Sequence, residues 1–173
     1  MAAHLRRKAK LPIDRELFLS AFSGLETGVA TTTAIILGLL VSGSSISVVM
    51  TAALVTLSVQ AFNASVARYL SLRTTKEIDD QTYTERKGPL VNAVIQFIAH
   101  ITASSMPILP LIFFYDPAVI ALASVGASVL TLAIAGLVQG LFIKIQAKQN
   151  LQEIILSGMM VVLVGSIAGF LLR

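Results

Sequence analysis

Glu26 is the ionisable residue whose position first indicates chemistry. It lies inside a long apolar segment, followed by Thr27 and a run of small and hydroxyl residues that ends at Thr33. A charged side chain at membrane depth is costly and commonly functional, so Glu26 is predicted to bind a cation or to carry a proton. The alternative is a structural ion pair, for which Arg68, near the end of the next apolar segment, is the candidate partner.

A row of polar residues crosses the third apolar segment at intervals of four: Asn92, Gln96, His100 and Ser104. In a helix this spacing places the four side chains on one face. The face can line an ion path, with His100 as proton carrier or metal ligand, or it can join helices through hydrogen bonds. Asn63 in the second segment has the same two interpretations.

Met106 precedes a proline of the third segment and supplies a thioether, a ligand that favours soft metal ions, although packing is its commoner role. The chain has no cysteine, which excludes thiolate metal sites and cysteine nucleophiles. Its sequence also has no nucleophile–base arrangement, zinc-protease motif, phosphate-binding glycine loop or nucleic-acid-binding motif. We therefore expect no enzyme activity, no resident cofactor and no nucleic-acid partner.

The elements that position these residues follow from the composition. Charged residues make up 13% of the chain, hydrophobic residues 55%, and the mean hydropathy is +0.84, whereas soluble domains have about 25% charged residues. A helix of about 20 apolar residues crosses a bilayer, and the apolar runs here are continuous rather than alternating as in barrel strands. We predict an all-α membrane domain over residues 17–173, with five transmembrane helices at about 18–41, 45–70, 89–115, 117–143 and 151–172.

Glycines four positions apart recur in three of these segments. The pairs are Gly24 and Gly28, Gly136 and Gly140, and Gly165 and Gly169. Such pairs predict close contact between helices, either within one chain or between two chains.

The distribution of lysine and arginine predicts the orientation. Of the 13 such residues, all but Arg173 lie in three places: the basic tail 1–16, the end of the second segment with the loop 73–88, and the connection after residue 143. Five crossings put these places on one side of the membrane, and the positive-inside rule makes that side the cytoplasm. The tail and the loop are thus predicted to be cytoplasmic, and the C-terminus to lie outside.

The order of several motifs resembles the vacuolar iron transporter family. Residues 64–73, with Tyr69-Leu70-Ser71, resemble the end of the family's second helix. Ser105–Pro110 resembles its double-proline third helix, and residues 136–169 resemble its fourth-helix end, short basic loop and glycine-rich last helix. The resemblance covers about residues 17–173.

This resemblance implies a homodimer in the lipid bilayer that exports the divalent ions Fe(II) or Mn(II) from the cytosol in exchange for protons. It implies an ion path near the first helices, at the dimer interface. Thr27-Gly28 stands at the position of the family's early Asp-Gly pair. The resemblance therefore adds Thr27 to the predicted metal-binding residues Glu26, His100 and Met106. The chain has no long glutamate-rich insert of the eukaryotic members, so we expect a prokaryotic plasma membrane.

Two departures from the family pattern keep other functions open. Ala64 stands near the family's second-helix methionine, and Arg68 stands where a glutamate precedes Tyr-Leu-Ser. Arg68 would repel a divalent cation unless an acidic partner neutralised it. One alternative is therefore a transport-inactive scaffold or partner subunit of the same fold, favoured by a dry pair between Glu26 and Arg68. Another is a transporter for a different solute, favoured by a wide cavity beside the polar row of the third segment.

Overall fold

The computed structural model of the chain describes residues 15–79, 86–143, 147–171 and 173. These ranges contain five helices and no strand, which confirms the predicted all-α class. The helices are α1 (Arg15–Val41), α2 (Ile46–Asp79), α3 (Lys87–Phe113), α4 (Pro117–Ile143) and α5 (Ala147–Leu171). The predicted basic tail 1–16 and loop 73–88 lie partly outside the described residues.

Four of the helices are long and apolar enough to cross a bilayer, by length and composition. The candidate spans are Glu16–Val41, Ile46–Asp79, Lys87–Phe113 and Pro117–Gly140. The apolar part of α5 that the structure describes, Gly158–Leu171, is shorter than the roughly 20 residues that a full crossing needs. Four apolar helices of this length suggest an integral membrane protein, and the five crossings and their orientation stay predictions.

The connection between α1 and α2 is a tight helix-ending turn. Gly43 has φ +83°, a left-handed conformation that glycine adopts without steric cost. Its N–H donates to the Leu40 carbonyl, and the Ser44 N–H donates to the Leu39 carbonyl, which is the hydrogen-bond pattern of a Schellman motif. The turn reverses the chain within four residues, so α1 and α2 run antiparallel.

The connection between α3 and α4 is equally short. Asp116 caps α4 by accepting hydrogen bonds from the N–H groups of Ala118 (2.8 Å) and Val119 (3.1 Å). Proline at the first helical position, Pro117, needs no acceptor for an N–H. These two residues explain why α4 begins where it does.

Helix α1 lies at the centre of the bundle and packs against all four other helices, most extensively against α3. Its contact with α5 depends on small residues: a Cβ on Gly165 would lie 2.5 Å from the Ala34 carbonyl oxygen, and one on Gly38 would lie 2.8 Å from the Gly165 carbonyl oxygen. The predicted close contacts at Gly24, Gly28 and Gly165 are therefore contacts within one chain.

Candidate functional site

The seam between α1 and α3 is where the polar row of α3 lies. A Cβ on Gly24 would lie 2.5 Å from the Gln96 carbonyl oxygen, and one on Gly28 would lie 2.8 Å from the His100 carbonyl oxygen. Only glycine lets the two backbones approach this closely. The approach buries Asn92, Gln96, His100 and Ser104 to more than nine-tenths, so the predicted common face is the face that packs on α1.

His100 contacts α1 through one ring nitrogen. Its Nδ1 lies 3.5 Å from Thr27 Oγ1. The Thr27 hydroxyl donates its own hydrogen to the Ser23 carbonyl at 2.7 Å. The other ring nitrogen, Nε2, is buried and has no hydrogen-bond partner among the described residues. The same is true of Gln96 Oε1, Ser104 Oγ and Thr32 Oγ1, and buried polar atoms without partners are uncommon enough to require an explanation.

Arg68 lies at the end of the bundle that holds the N-terminus of α1, hereafter the basic end. Its Nε donates to Ser20 Oγ at 2.8 Å, and its Nη2 donates to the Glu16 carbonyl at 3.3 Å. The Ser20 hydroxyl, with one hydrogen to give, has two acceptors within reach: Asn92 Oδ1 at 2.7 Å and the Glu16 carbonyl at 2.8 Å. Asn92 donates in turn to the Gly88 carbonyl at 3.0 Å. This hydrogen-bonded group joins α1, α2 and α3.

The ion pair between Glu26 and Arg68, one of the two alternatives for Glu26, stays a prediction. The described partners of the Arg68 guanidinium are Ser20 and Glu16, and Glu26 is not among them. The physical reason is depth: Glu26 lies six residues beyond Ser20, which is about 9 Å along the helix axis. Arginine satisfies its donors with the nearest oxygens, and those are at the basic end.

Two further ion pairs lie at the basic end. Lys76 Nζ is 3.4 Å from Glu16 Oε2, and Arg73 Nε is 2.6 Å from Glu77 Oε1. All four side chains are partly exposed, so water and salt screen both pairs and each adds little to stability. The pair of Lys76 and Glu16 joins the polar extension of α2 to the start of α1, and the pair of Arg73 and Glu77 lies within that extension.

The register of the helices brings several polar residues to one depth. Ser20 lies beside Arg68. Because α1 and α2 run antiparallel, Thr27, seven residues after Ser20, is level with residue 61, seven residues before Arg68. Thr27 also contacts His100 of α3. Six residues thus lie within about one turn of the same level, about 10 Å deeper than Ser20. We name them the polar layer: Glu26, Thr27, Gln60, Asn63, Gln96 and His100.

The polar layer has a buried part and an exposed part. Gln96 and His100 lie inside the bundle, and Glu26 is half-buried. Thr27, Gln60 and Asn63 are exposed on the outer surface of the chain. Amide groups on the outside of an apolar helix are costly in lipid, so the exposed part of the layer marks a face that needs cover.

The structure brings together two of the four predicted metal-binding residues. Thr27 and His100 are in contact, whereas Met106 lines an apolar cleft with Leu25 and Ile98. Across the part of the chain that the structure describes, no group of three His, Asp or Glu residues could hold a metal ion. The described residues thus bring together Thr27 and His100 without a third potential ligand among His, Asp and Glu.

Four clefts of about 130–420 Å³ lie in the described bundle, and their walls are almost entirely apolar. The row of Asn92, Gln96 and His100 lines none of these four. The close approach at Gly24 explains why, since it leaves no room for a wide cavity there. A path for a different solute along this row stays a prediction.

Two hydroxyl residues form contacts between helices that the sequence alone did not predict. Ser20 links Arg68 to Asn92, and Thr33 Oγ1 lies 2.5 Å from Ser128 Oγ of α4. The signal for Ser20 was its spacing, because it stands four residues before Gly24 on the face that packs on α3. Thr33 belongs to the hydroxyl run that follows Glu26, but the run does not show which helix Thr33 contacts.

Comparison of the chain with protein-family models and with curated proteins gives no match. Its function must therefore be inferred from its own side chains and from the resemblance in its motifs.

Proposed function

We propose that the chain exports a divalent metal ion, Fe(II) or Mn(II), from the cytosol in exchange for protons. The observation that carries the proposal is the polar layer: a carboxylate, three amides, a hydroxyl and an imidazole at one depth in apolar helices. Polar groups at membrane depth commonly mark an ion path. The resemblance of residues 64–73 and Ser105–Pro110 to vacuolar iron transporters supports the choice of substrate.

In this proposal the basic end faces the cytoplasm of a prokaryotic cell and the C-terminus lies outside. Arg68, Arg73 and Lys76 are all at that end, as are Arg86 and Lys87 near the start of α3. The positive-inside rule supports this orientation. In this orientation α5 makes the fifth crossing, which places the C-terminus outside.

A homodimer explains the exposed part of the polar layer. Gln60 and Asn63 each carry amide donors and acceptors, so the same face of a second copy can pair with them across a two-fold axis. A divalent cation also needs several oxygen ligands to replace its water. Two copies supply two carboxylates, from Glu26 of each, together with the amide oxygens of Asn63. Thr27 and His100 bond to each other and are not assigned as ligands.

The positive charge of Arg68 repels a divalent ion on the proposed path but does not block that path. It lies about 10 Å from the polar layer along the helix axis, and its guanidinium is held by oxygens of α1. At that distance and an effective dielectric constant of about 20, a divalent ion and one positive charge repel by about 3 kcal/mol. In the proposed dimer, the two Glu26 carboxylates supply the negative charge that offsets this repulsion.

Transport is tested in proteoliposomes with an acidic lumen and a trapped metal-sensitive dye. We expect Fe(II) or Mn(II) uptake by the parent and at least a tenfold loss in Glu26→Gln. The matched control is Glu77→Gln, a carboxylate at the basic end paired with Arg73, which should keep near-parent uptake. Background uptake by well-folded parent protein rejects transport.

The sequence has no cysteine, so single introduced cysteines can test the dimer. A single Asn63→Cys substitution should give a disulfide-linked dimer in oxidised membranes. Leu122→Cys, on a fully apolar and highly exposed part of α4, should stay monomeric under the same conditions. Equal cross-linking at both positions, or none at position 63, contradicts a dimer across this face.

A second candidate function is a transport-inactive scaffold of the same fold. It is favoured by the hydrogen-bonded closure of the basic end around Arg68 and by the incomplete metal ligand set in the described chain. The two candidates differ in one outcome: a scaffold forms the cross-linked dimer but shows background metal uptake.

A further inference from the structure

A cleft of about 310 Å³ lies between α2 and α3 on the outside of the bundle. Its floor consists of the small buried residues Ser65 and Ala93, and its rim includes the larger exposed residues Phe62 of α2 and Leu90 of α3. The Ser65 hydroxyl donates to the Ala61 carbonyl at 2.6 Å, so this residue offers the cleft no hydrogen. The surface therefore fits a hydrocarbon chain.

The cleft runs along the helices for a large part of one membrane leaflet. Its outermost lining residues on α2 are Phe62 and Tyr69, and seven residues of helix span about 10 Å. The lining of α3 has the same extent, from Leu90 to Phe97. One leaflet of the hydrocarbon core is about 15 Å deep, so the cleft can hold an acyl chain over about two-thirds of that depth.

Basic residues stand at the end of the cleft that lies toward the basic end of the bundle. Arg73 is one turn beyond Tyr69 on the same face of α2, and Arg86 and Lys87 precede Leu90 by about one turn on α3. The Arg73 side chain is 40% exposed, and Arg86 and Lys87 are exposed. The opening of the cleft therefore has one cationic side chain on α2 and two on α3.

The two helices are close together at this opening. A Cβ on Gly88 would lie 3.5 Å from Lys76 Nζ, so a side chain of α2 reaches the first turn of α3. Lys76 itself is in an ion pair with α1, and Arg73 pairs with Glu77 through Nε, one of the five N–H donors of an arginine. Asp79 lies six residues beyond Arg73, about 9 Å farther from the cleft. These ion pairs leave the exposed cations of α3 as the main positive charge of the opening in the described chain.

We propose that this cleft binds an anionic phospholipid, with one acyl chain in the cleft and the phosphate between Arg73 of α2 and Arg86 and Lys87 of α3. Basic pockets between membrane helices bind anionic headgroups, and each basic residue near the membrane surface favours an anionic lipid by about fivefold. The bound lipid joins α2 to α3 at the basic end. The site is independent of metal transport, because Asn63 is turned by about 100° from Phe62 around α2 and so lies on a different face.

A second copy of the chain is a poorer occupant of this cleft. A two-fold axis here would bring Arg86 and Lys87 toward the same residues of the other copy, and like charges repel. An anionic lipid supplies the opposite charge together with an apolar chain, so it complements both parts of the site.

Lipid binding is tested with an introduced tryptophan, since the sequence has none. Phe62→Trp places the fluorophore in the cleft at a side chain that is 63% exposed. The full chain is reconstituted in phosphatidylcholine bilayers with brominated phosphatidylglycerol or brominated phosphatidylcholine as quencher. We expect phosphatidylglycerol to bind beside this tryptophan at least threefold more tightly than phosphatidylcholine. Leu122→Trp, at a side chain of α4 that is 80% exposed, is the control and should be quenched equally by both lipids.

The headgroup contact is tested in the Phe62→Trp background. Arg86→Gln combined with Lys87→Gln should bring the ratio of the two binding constants close to one. Arg173→Gln removes a charge at the opposite end of the bundle, next to the contact of Gly169 with Gly38, and should leave the ratio unchanged.

Three outcomes overturn the proposal. Equal quenching by the two lipids at position 62 means that ordinary bilayer lipid covers the cleft. Quenching by neither lipid means that protein, such as a second copy, covers it. A preference for phosphatidylglycerol that survives Arg86→Gln with Lys87→Gln means that the phosphate is held elsewhere. Should Phe62→Trp fail to fold, Phe97→Trp on the α3 side of the cleft replaces it, with the same expected and contradicting results.

Discussion

Replacing Gly24 by alanine tests the contact that buries the polar row. The added Cβ would lie 2.5 Å from the Gln96 carbonyl oxygen and 3.1 Å from Gln96 Cγ. The carbonyl belongs to a helix backbone and cannot rotate away, so α1 and α3 must separate by about 0.5 Å or more. Overpacking of this kind costs about 1–3 kcal/mol. The equilibrium between folded and unfolded protein should shift about 5- to 150-fold toward unfolding.

Gly126→Ala is the matched control, because a Cβ at Gly126 of α4 meets no atom within 4 Å. Alanine favours helix over glycine by up to about 1 kcal/mol, so this variant should be as stable as the parent or more stable. Both variants are compared by reversible denaturation in bicelles, with helix content as the signal. Equal stability of the two variants would refute the close approach of α1 and α3.

Three further predictions concern hydroxyl and carboxylate contacts. Ser20→Ala should lower the free energy of unfolding by about 1–2 kcal/mol, because its partners on α2 and α3 lose a hydrogen bond; Ser58→Ala, an exposed serine of α2, should be near neutral. A double-mutant cycle of Thr33→Val and Ser128→Ala should give a coupling of about 0.6 kcal/mol, and a value above about 1.7 would be inconsistent with a single interhelical hydrogen bond. Asp116→Ala should cost about 1 kcal/mol of stability through the lost cap of α4, and Asp116→Asn should restore most of it in thermal unfolding.

The helices could be predicted from the sequence because apolar run length directly reflects the thickness of a bilayer. Their ends were less predictable. The second apolar segment stops near Leu70, yet α2 continues to Asp79. Hydropathy measures the part of a helix that lipid surrounds, whereas Arg73 and Glu77 extend the helix through an i,i+4 pair that hydropathy does not register.

The candidate site was only partly predictable, for a related reason. The common face of Asn92, Gln96 and His100 follows from helical periodicity and needs no knowledge of other helices. The partner of Arg68 depends on the register of α1 against α2, which packing between the helices determines. The hydrogen bonds of Arg68 to Ser20 and to the Glu16 carbonyl could therefore not be read from the sequence.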